Sequence, residues 1–226
     1  MYIHARLAVA VASVVCFGCL TAEEAPSVDP VPAAVAALAA QQASVTSLQG
    51  SFRWLTLPAD GGEPRERRGT FQVVRASAGL PQRFNVTTSD LDGADVHRWC
   101  SNGSERWEIE QQVPEEPPTK RKLERGAQQL DLDRIVACLL VDLPTLQRDF
   151  ILSVPADESH RILFIPRHEE LQRDLRQLEV VVVDGQPSAV LISDPSGSRI
   201  RLVITELKRN EPIPEIYFHP DGVPAP

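Results

Sequence analysis

The chain has 226 residues, 42% of them hydrophobic and 5% aromatic, and a formal net charge of −8. That length holds one sizeable all-β or α+β core. The acidic balance and the lack of a basic stripe argue against nucleic acid as a partner, because backbone phosphates would be repelled.

Residues 1–22 read as a signal peptide. Arg6 supplies a positive start, residues 7–20 are apolar, and Leu20-Thr21-Ala22 before Glu23 suits cleavage after Ala22. A rival reading cleaves before Cys19 and attaches lipid to that cysteine, an uncleaved anchor is the third, and all three stay open. Residues 23–31 form an acidic, proline-containing flexible leader, and 32–226 form a single domain. Pro32 opens a helix over residues 33–46. Val35, Leu38, Gln42 and Val45 follow helical spacing there, with Gln42 a polar blemish in the stripe.

Strands are expected over 51–57, 69–75 and 82–88, separated by the loop PADGGEPRERR and by a connection at 76–81. Phe71, Val73 and Arg75 share a face by the period of two. Residues 96–100 and 105–111 read as a hairpin around Asn102-Gly103. A loop at 114–118 and a short strand at 119–124 follow. Next comes DLDRIVACLLVDL, residues 131–143. Leu132, Ile135, Val136, Leu139, Leu140 and Leu143 form an unbroken helical stripe, with Asp131 at the N-cap position and Pro144 as its stop. Beyond it, strands are expected at 150–154 and 161–165, a polar segment at 167–174, and a meander over 175–183, 188–193 and 199–207 with turns at Asp184-Gly185 and 194–197.

The order is therefore a helix, five or six strands, a greasy helix and five more strands. So wide an antiparallel sheet curls or closes. The expected fold is α+β, a curved antiparallel sheet forming an unclosed β-barrel, with helices as a lid over its concave apolar face. No nucleophile motif, phosphate loop or metal-ligand spacing is present. His168-Glu169-Glu170-Leu171-Gln172 lacks the second histidine of a zinc helix. The expectation is a non-enzyme with no cofactor and no metal. Cys100 and Cys138, the cysteines outside the signal segment, are a bridge or two buried thiols.

These residues, taken in order, resemble the LolA family of periplasmic lipoprotein carriers, whose relatives include the receptor LolB. The similarity rests on the opening helix before Ser51-Phe52, and on a strand from Gly69 ending in Arg75 with Phe84 after it. It rests also on Ser101-Asn102-Gly103 before Trp107, the leucine-rich short helix, and the closing Phe218-His219-Pro220-Asp221-Gly222-Val223. Ala76 stands where the family usually has proline after that arginine.

The resemblance implies a cavity for lipoprotein acyl chains, walled by Phe52, Trp54, Phe71, Val73, Phe84, Trp99, Trp107 and Ile109, with Ile135 and Leu139 on the lid. It implies that Arg75 latches the lid backbone, although a strand-end arginine reaching water is the alternative. A Cys100–Cys138 bridge would staple lid to wall. The implied function is passive, monomeric carriage of lipoproteins in the periplasm toward the outer membrane. The implied partners are an ATP-driven inner-membrane release complex and an outer-membrane receptor. The alternative is an anchored LolB-like module, tethered through Cys19, or a sensor or interaction module that binds lipid or protein without transport.

Overall fold

The structure, a computed structural model, describes residues 31–77, 81–113, 116–124, 139–140 and 142–222. Residues 1–30, which hold the expected signal segment and Cys19, most of the 131–143 stripe with Ile135 and Cys138, and residues 223–226 lie outside them. Helix α1 (Ala33–Gln42) leads into β1 (Ser47–Leu57), β2 (Arg65–Val74), β3 (Arg83–Ser89), β4 (Val96–Ser101), β5 (Arg106–Gln111) and β6 (Thr119–Leu123). Then follow α2 (Leu143–Asp149), β7 (Phe150–Ser153), β8 (Arg161–Pro166), α3 (Glu169–Gln172), β9 (Gln177–Val183), β10 (Gln186–Ser193) and β11 (Arg199–Arg209). A single 3₁₀ turn (Glu215–Phe218) precedes the C-terminal residues.

All strands join one 11-stranded sheet in the order β6-β5-β4-β3-β2-β1-β11-β10-β9-β8-β7. Each pairing is antiparallel, and the one pairing of strands distant in sequence is that of β1 with β11. The sheet is thus two local meanders, β1–β6 and β7–β11, sewn together along their first and last strands. Its free edges are β6 and β7, so the barrel is unclosed.

The turns follow from composition. Asp184 and Gly185 both take positive φ, 52° and 71°, as the two-residue β9–β10 connection requires. At the β4–β5 hairpin the loop is four residues long, because the Asn102 side-chain oxygen accepts from the backbone of Ser104 and Glu105 and closes a wider turn. The β1–β11 seam is clasped at one end by Asn210. Its Oδ1 accepts from the Thr46 backbone N–H at 2.8 Å and from the Thr46 hydroxyl at 3.1 Å.

The helical segments lie against one face. Val35 and Leu38 of α1 join Leu139, Leu140 and Leu146 in the same buried apolar cluster as the inner residues of the sheet. Gln42, the apparent blemish of α1, is fully buried, and its side-chain amide donates to the Gly185 carbonyl at 3.2 Å. It ties the end of α1 to the β9–β10 turn. Pro144 does not merely stop a helix. Asp142 is non-helical, and Pro144 lies in the first turn of α2, a helix the sequence reading missed. Proline fits there because first-turn N–H groups have no intrahelical partner.

Two glycines let the sheet bend at its centre. Gly50 faces Phe71 and Gly69 faces Phe52 across the β1–β2 pair, and the two rings stand 6.3 Å apart. A Cβ at Gly69 would lie 2.4 Å from both the Phe52 ring and the Thr87 carbonyl oxygen. A Cβ at Gly50 would lie 2.0 Å from the Glu206 carbonyl oxygen, beside the register shift between Ser51 and Phe52. Each ring thus lies over the backbone of the opposing glycine, and the local bulge adds twist.

A second, smaller buried set covers the outer face of β3–β5. Phe218 and Cys100 are fully buried, and Ile109 is nearly so, yet none belongs to the main apolar cluster. Arg98 organises this side. It donates to Asn85 Oδ1 at 2.6 Å and to the carbonyls of Tyr217, His219 and Gly222 at 2.7, 2.9 and 3.3 Å. The segment around the 3₁₀ turn would otherwise bring bare carbonyls onto the sheet, and one buried guanidinium has enough donors to satisfy them. Arg83 stacks over the Phe218 ring, and Lys120 pairs with Asp221, holding that carboxylate's pKa below its ordinary value.

Two outcomes are expected. Gly69→Ala lowers stability by about 1–3 kcal/mol through overpacking against Phe52, read as a lower urea midpoint. An unchanged midpoint would show that the ring has room to move. Arg98→Met strips the carbonyls of their donor and frees the C-terminal segment. Alkylation of Cys100, followed by peptide mass mapping, then accelerates roughly tenfold or more, since each charge-assisted hydrogen bond lost is worth about 1.5–3 kcal/mol. Equal labelling rates in the two proteins would refute the clasp.

Candidate functional site

The inner face of the sheet is the candidate site. Residues directly opposite one another in a ladder share a face. One inner row runs Trp54, Leu202, Val190, Val180, Ile162 across five strands. Another runs Phe71, Val86, Trp99 across three, and Leu48, Val73 and Phe84 form a third. Of the residues expected to wall a cavity, Phe52, Phe71, Val73 and Phe84 are buried in the main cluster, as is Leu139. Trp54 and Trp99 are half-buried and pack against it. Ile135 lies outside the described residues.

Trp107 and Ile109 do not join that wall. Trp107 faces Cys100 and Ile109 faces Arg98, on the outer side of the sheet. The reason is parity. An even-numbered hairpin loop pairs odd positions with even ones, so Trp99 meets Glu108, and Trp107 points the opposite way from Trp99. The same geometry places Cys100, for which a bridge to Cys138 is one of the two readings. Cys100 is a buried free thiol on the outer face, whereas the helical Leu139–Leu140 turn lies in the inner cluster. Cys138 lies outside the described residues. Burial pushes the Cys100 thiol pKa up and pulls that of the neighbouring Arg98 guanidinium down.

The inner face turns polar toward β6. His97 stacks on Trp99 with ring centroids 5.9 Å apart, and its Nε2 lies 3.2 Å from an Asp95 oxygen. The Trp99 indole donates to Glu108 at 3.0 Å, and Arg121 donates to the other oxygen of that carboxylate. Both indoles therefore present an apolar ring to the interior with the N–H satisfied, for Trp54 also donates to the Thr56 hydroxyl at 2.9 Å.

Arg75 stands just past the end of β2, where its own N–H bonds the Thr46 carbonyl. Its guanidinium donates through Nε to the Val45 carbonyl at 2.9 Å. Through Nη2 it donates to the Gln42 carbonyl at 3.1 Å and to the Leu140 carbonyl at 2.6 Å. The first two are carbonyls at and just beyond the end of α1, and that of Gln42 also accepts from the Val45 N–H. The third belongs to the other helical segment. One side chain thus ties two helical segments to each other and to the end of a strand. Sequence placed Arg75 on this face but gave no sign of its link to α1. Arg98 and Asn85 were missed altogether, because a buried arginine on a strand has the same local pattern as an exposed one.

The open antiparallel sheet with helices on its inner face is the fold that the sequence resemblance implies. No protein-family model and no curated protein sequence matches the chain. Among solved structures, a DUF1329 family protein from Desulfovibrio piger matches with a TM-score of 0.51 and 11% identity, covering 85% of this chain and 98% of that one. An outer membrane lipoprotein-sorting protein domain from Vibrio parahaemolyticus gives 0.47 and 9%, covering 81% and 94%. A LolA superfamily protein from Nitrosomonas europaea gives 0.45 and 10%, covering 84% and 99%. At such identities the likeness is one of fold, an open antiparallel sheet shared with the DUF1329 family structure.

Proposed function

We propose that the inner apolar face receives lipoprotein acyl chains in the periplasm, without chemical catalysis, and that Arg75 latches the helical cover shut when the face is empty. The observation that carries this reading is the set of hydrogen bonds from Arg75 to Gln42, Val45 and Leu140. A structure needing only a static core would pack its helices by apolar contact. A single guanidinium reaching carbonyls of two helical segments is a contact that breaks as a unit when the segments part. The solved lipoprotein-sorting domain and LolA superfamily structures have the names such a function would give.

Magnitudes set the working range. An acyl chain of about fifteen methylenes gains roughly 12 kcal/mol on full burial, at ~0.8 kcal/mol each. That alone corresponds to about nanomolar affinity. Against it stands the closed state, in which each charge-assisted hydrogen bond of Arg75 is worth about 1.5–3 kcal/mol. A ligand must outbid closure, so the latch weakens binding and speeds release. Transfer toward the outer membrane would then need an ATP-driven inner-membrane complex for loading and an outer-membrane receptor for delivery. Lipid on Cys19 would make the protein an anchored acceptor, and the mass of the exported protein decides between the two.

The test uses a fluorescent apolar probe titrated into the purified protein and displaced by a diacylated lipoprotein. Arg75→Leu is expected to bind the probe roughly tenfold more tightly and release it more slowly, because about 1.4 kcal/mol of closure is lost per tenfold. Arg75→Lys, which keeps the charge with fewer donors, should fall between. A probe that lipoprotein does not displace, or equal affinity in wild type and Arg75→Leu, would sink the reading.

A further inference from the structure

The outer face of the sheet centre holds a feature that the acyl-chain reading leaves unused. At the bend of β1 and β2 an open groove of about 470 Å³ is lined by Ser51, Arg53, Arg68, Thr70, Thr87 and Thr205, among others. Its floor is made of hydroxyls. Thr70 faces Ser51 on one side and Thr87 on the other. Arg53 faces Arg68 directly across the β1–β2 pair. The groove lies beside the register shift between Ser51 and Phe52, which places Thr205 as an extra residue on β11.

The two guanidiniums are differently committed. Arg53 makes a two-pronged pair with Glu66 at 2.8 and 3.0 Å, which raises the arginine's pKa and lowers the glutamate's. Arg68 is exposed, and among the described residues no carboxylate pairs with it. Two further exposed arginines extend the same face on β11. Arg201 stands opposite Leu55, and Arg199 opposite Leu57. Neither has an ion-pair partner among the described residues. The fold therefore assembles from three strands a basic band invisible in the linear sequence, on a chain whose formal net charge is −8.

Directly opposed arginines on a sheet repel each other. They are tolerated in water, but in a groove with a hydroxyl floor they suit an oxyanion. We propose that this groove binds a phosphate group, with Arg68 and the free N–H groups of Arg53 as charged donors and the Thr70 and Thr205 hydroxyls as neutral ones. Arg199 and Arg201 draw the anion toward the site from the flank. A phosphate suits this arrangement through guanidinium fork geometry. The net negative charge of the chain repels a long polyanion, which favours a compact phosphate over a nucleic-acid backbone. The groove lies on the face opposite the apolar cluster, so the proposal stands or falls independently of acyl-chain binding.

The chemistry is common to free phosphate and to a phospholipid headgroup, and two arms separate them. In the first, inorganic phosphate is titrated into the full chain by calorimetry, with chloride as the control anion. In the second, the chain is floated with vesicles of phosphatidylglycerol and phosphatidylcholine, or of phosphatidylcholine alone. Saturable phosphate binding assigns a free-anion site. Flotation only with phosphatidylglycerol, lost at high salt, assigns a headgroup site. In either arm Arg68→Glu is expected to weaken binding at least fivefold, and Arg199→Glu with Arg201→Glu to weaken it further, at about fivefold per guanidinium removed. These positions are exposed, so the urea midpoint should hold. The apolar probe should bind the variants as it binds the wild type. No binding in either arm, or binding unchanged in Arg68→Glu, would overturn the proposal. An acidic peptide that binds where phosphate does not would overturn it as well.

Discussion

The first strand of this sheet pairs with the last, and most of the architecture follows from that constraint. Once β1 and β11 form the centre, two meanders can grow outward only by local hairpins, and the free edges fall on β6 and β7 in the middle of the chain. The segment between them must travel from one edge to the other, and it carries the helical Leu139–Leu140 turn and α2. The sheet therefore has its opening and its cover in the same stretch of sequence. The edges differ in kind. Strand β6 reads Thr-Lys-Arg-Lys-Leu, and its charges discourage another strand from pairing there. Strand β7 is apolar and four residues long, and shortness is its protection.

Arg75 joins the helical segments at one point of that geometry. Its guanidinium satisfies carbonyls at the end of α1 and the Leu140 carbonyl together. The α1 end is also fixed by Gln42 to the β9–β10 turn in the other meander. The cover is thus held at both wings of the sheet by polar contacts, while its apolar side chains merge with the core. Polar anchors of this kind are directional and exchangeable, whereas the apolar cluster fixes volume more than orientation.

Much of the fold was legible because its signals are local. The period of two, the Asp184-Gly185 turn and the position of Pro32 each act within a few residues, and the strand list they imply matches the sheet closely. What escaped was whatever depends on pairing. Trp107 and Trp99 have the same local pattern, and only the parity of the hairpin loop sends them to opposite faces. Gln42 is polar in an apolar stripe until Gly185, 143 residues away, comes within reach. Arg98 is one arginine among many until Tyr217, His219 and Gly222 close over it. Pro144 reads locally as a stop, yet proline is equally at home in the first turn of the next helix.

The seam also dictates an order of assembly. Thr46 and Asn210, which clasp its end, are 164 residues apart in sequence. Contacts of such separation form late, because loop closure must precede any return from them. Until the last strand is in place, β1 has one side paired with β2 and the other bare, with Phe52, Trp54, Leu55 and Leu57 along it. The N-terminal meander is then a sheet with an unprotected hydrophobic border, able to recruit strands from other chains. A chain ending before Arg199 would keep that border exposed, and so would a nascent one until its last strand emerges.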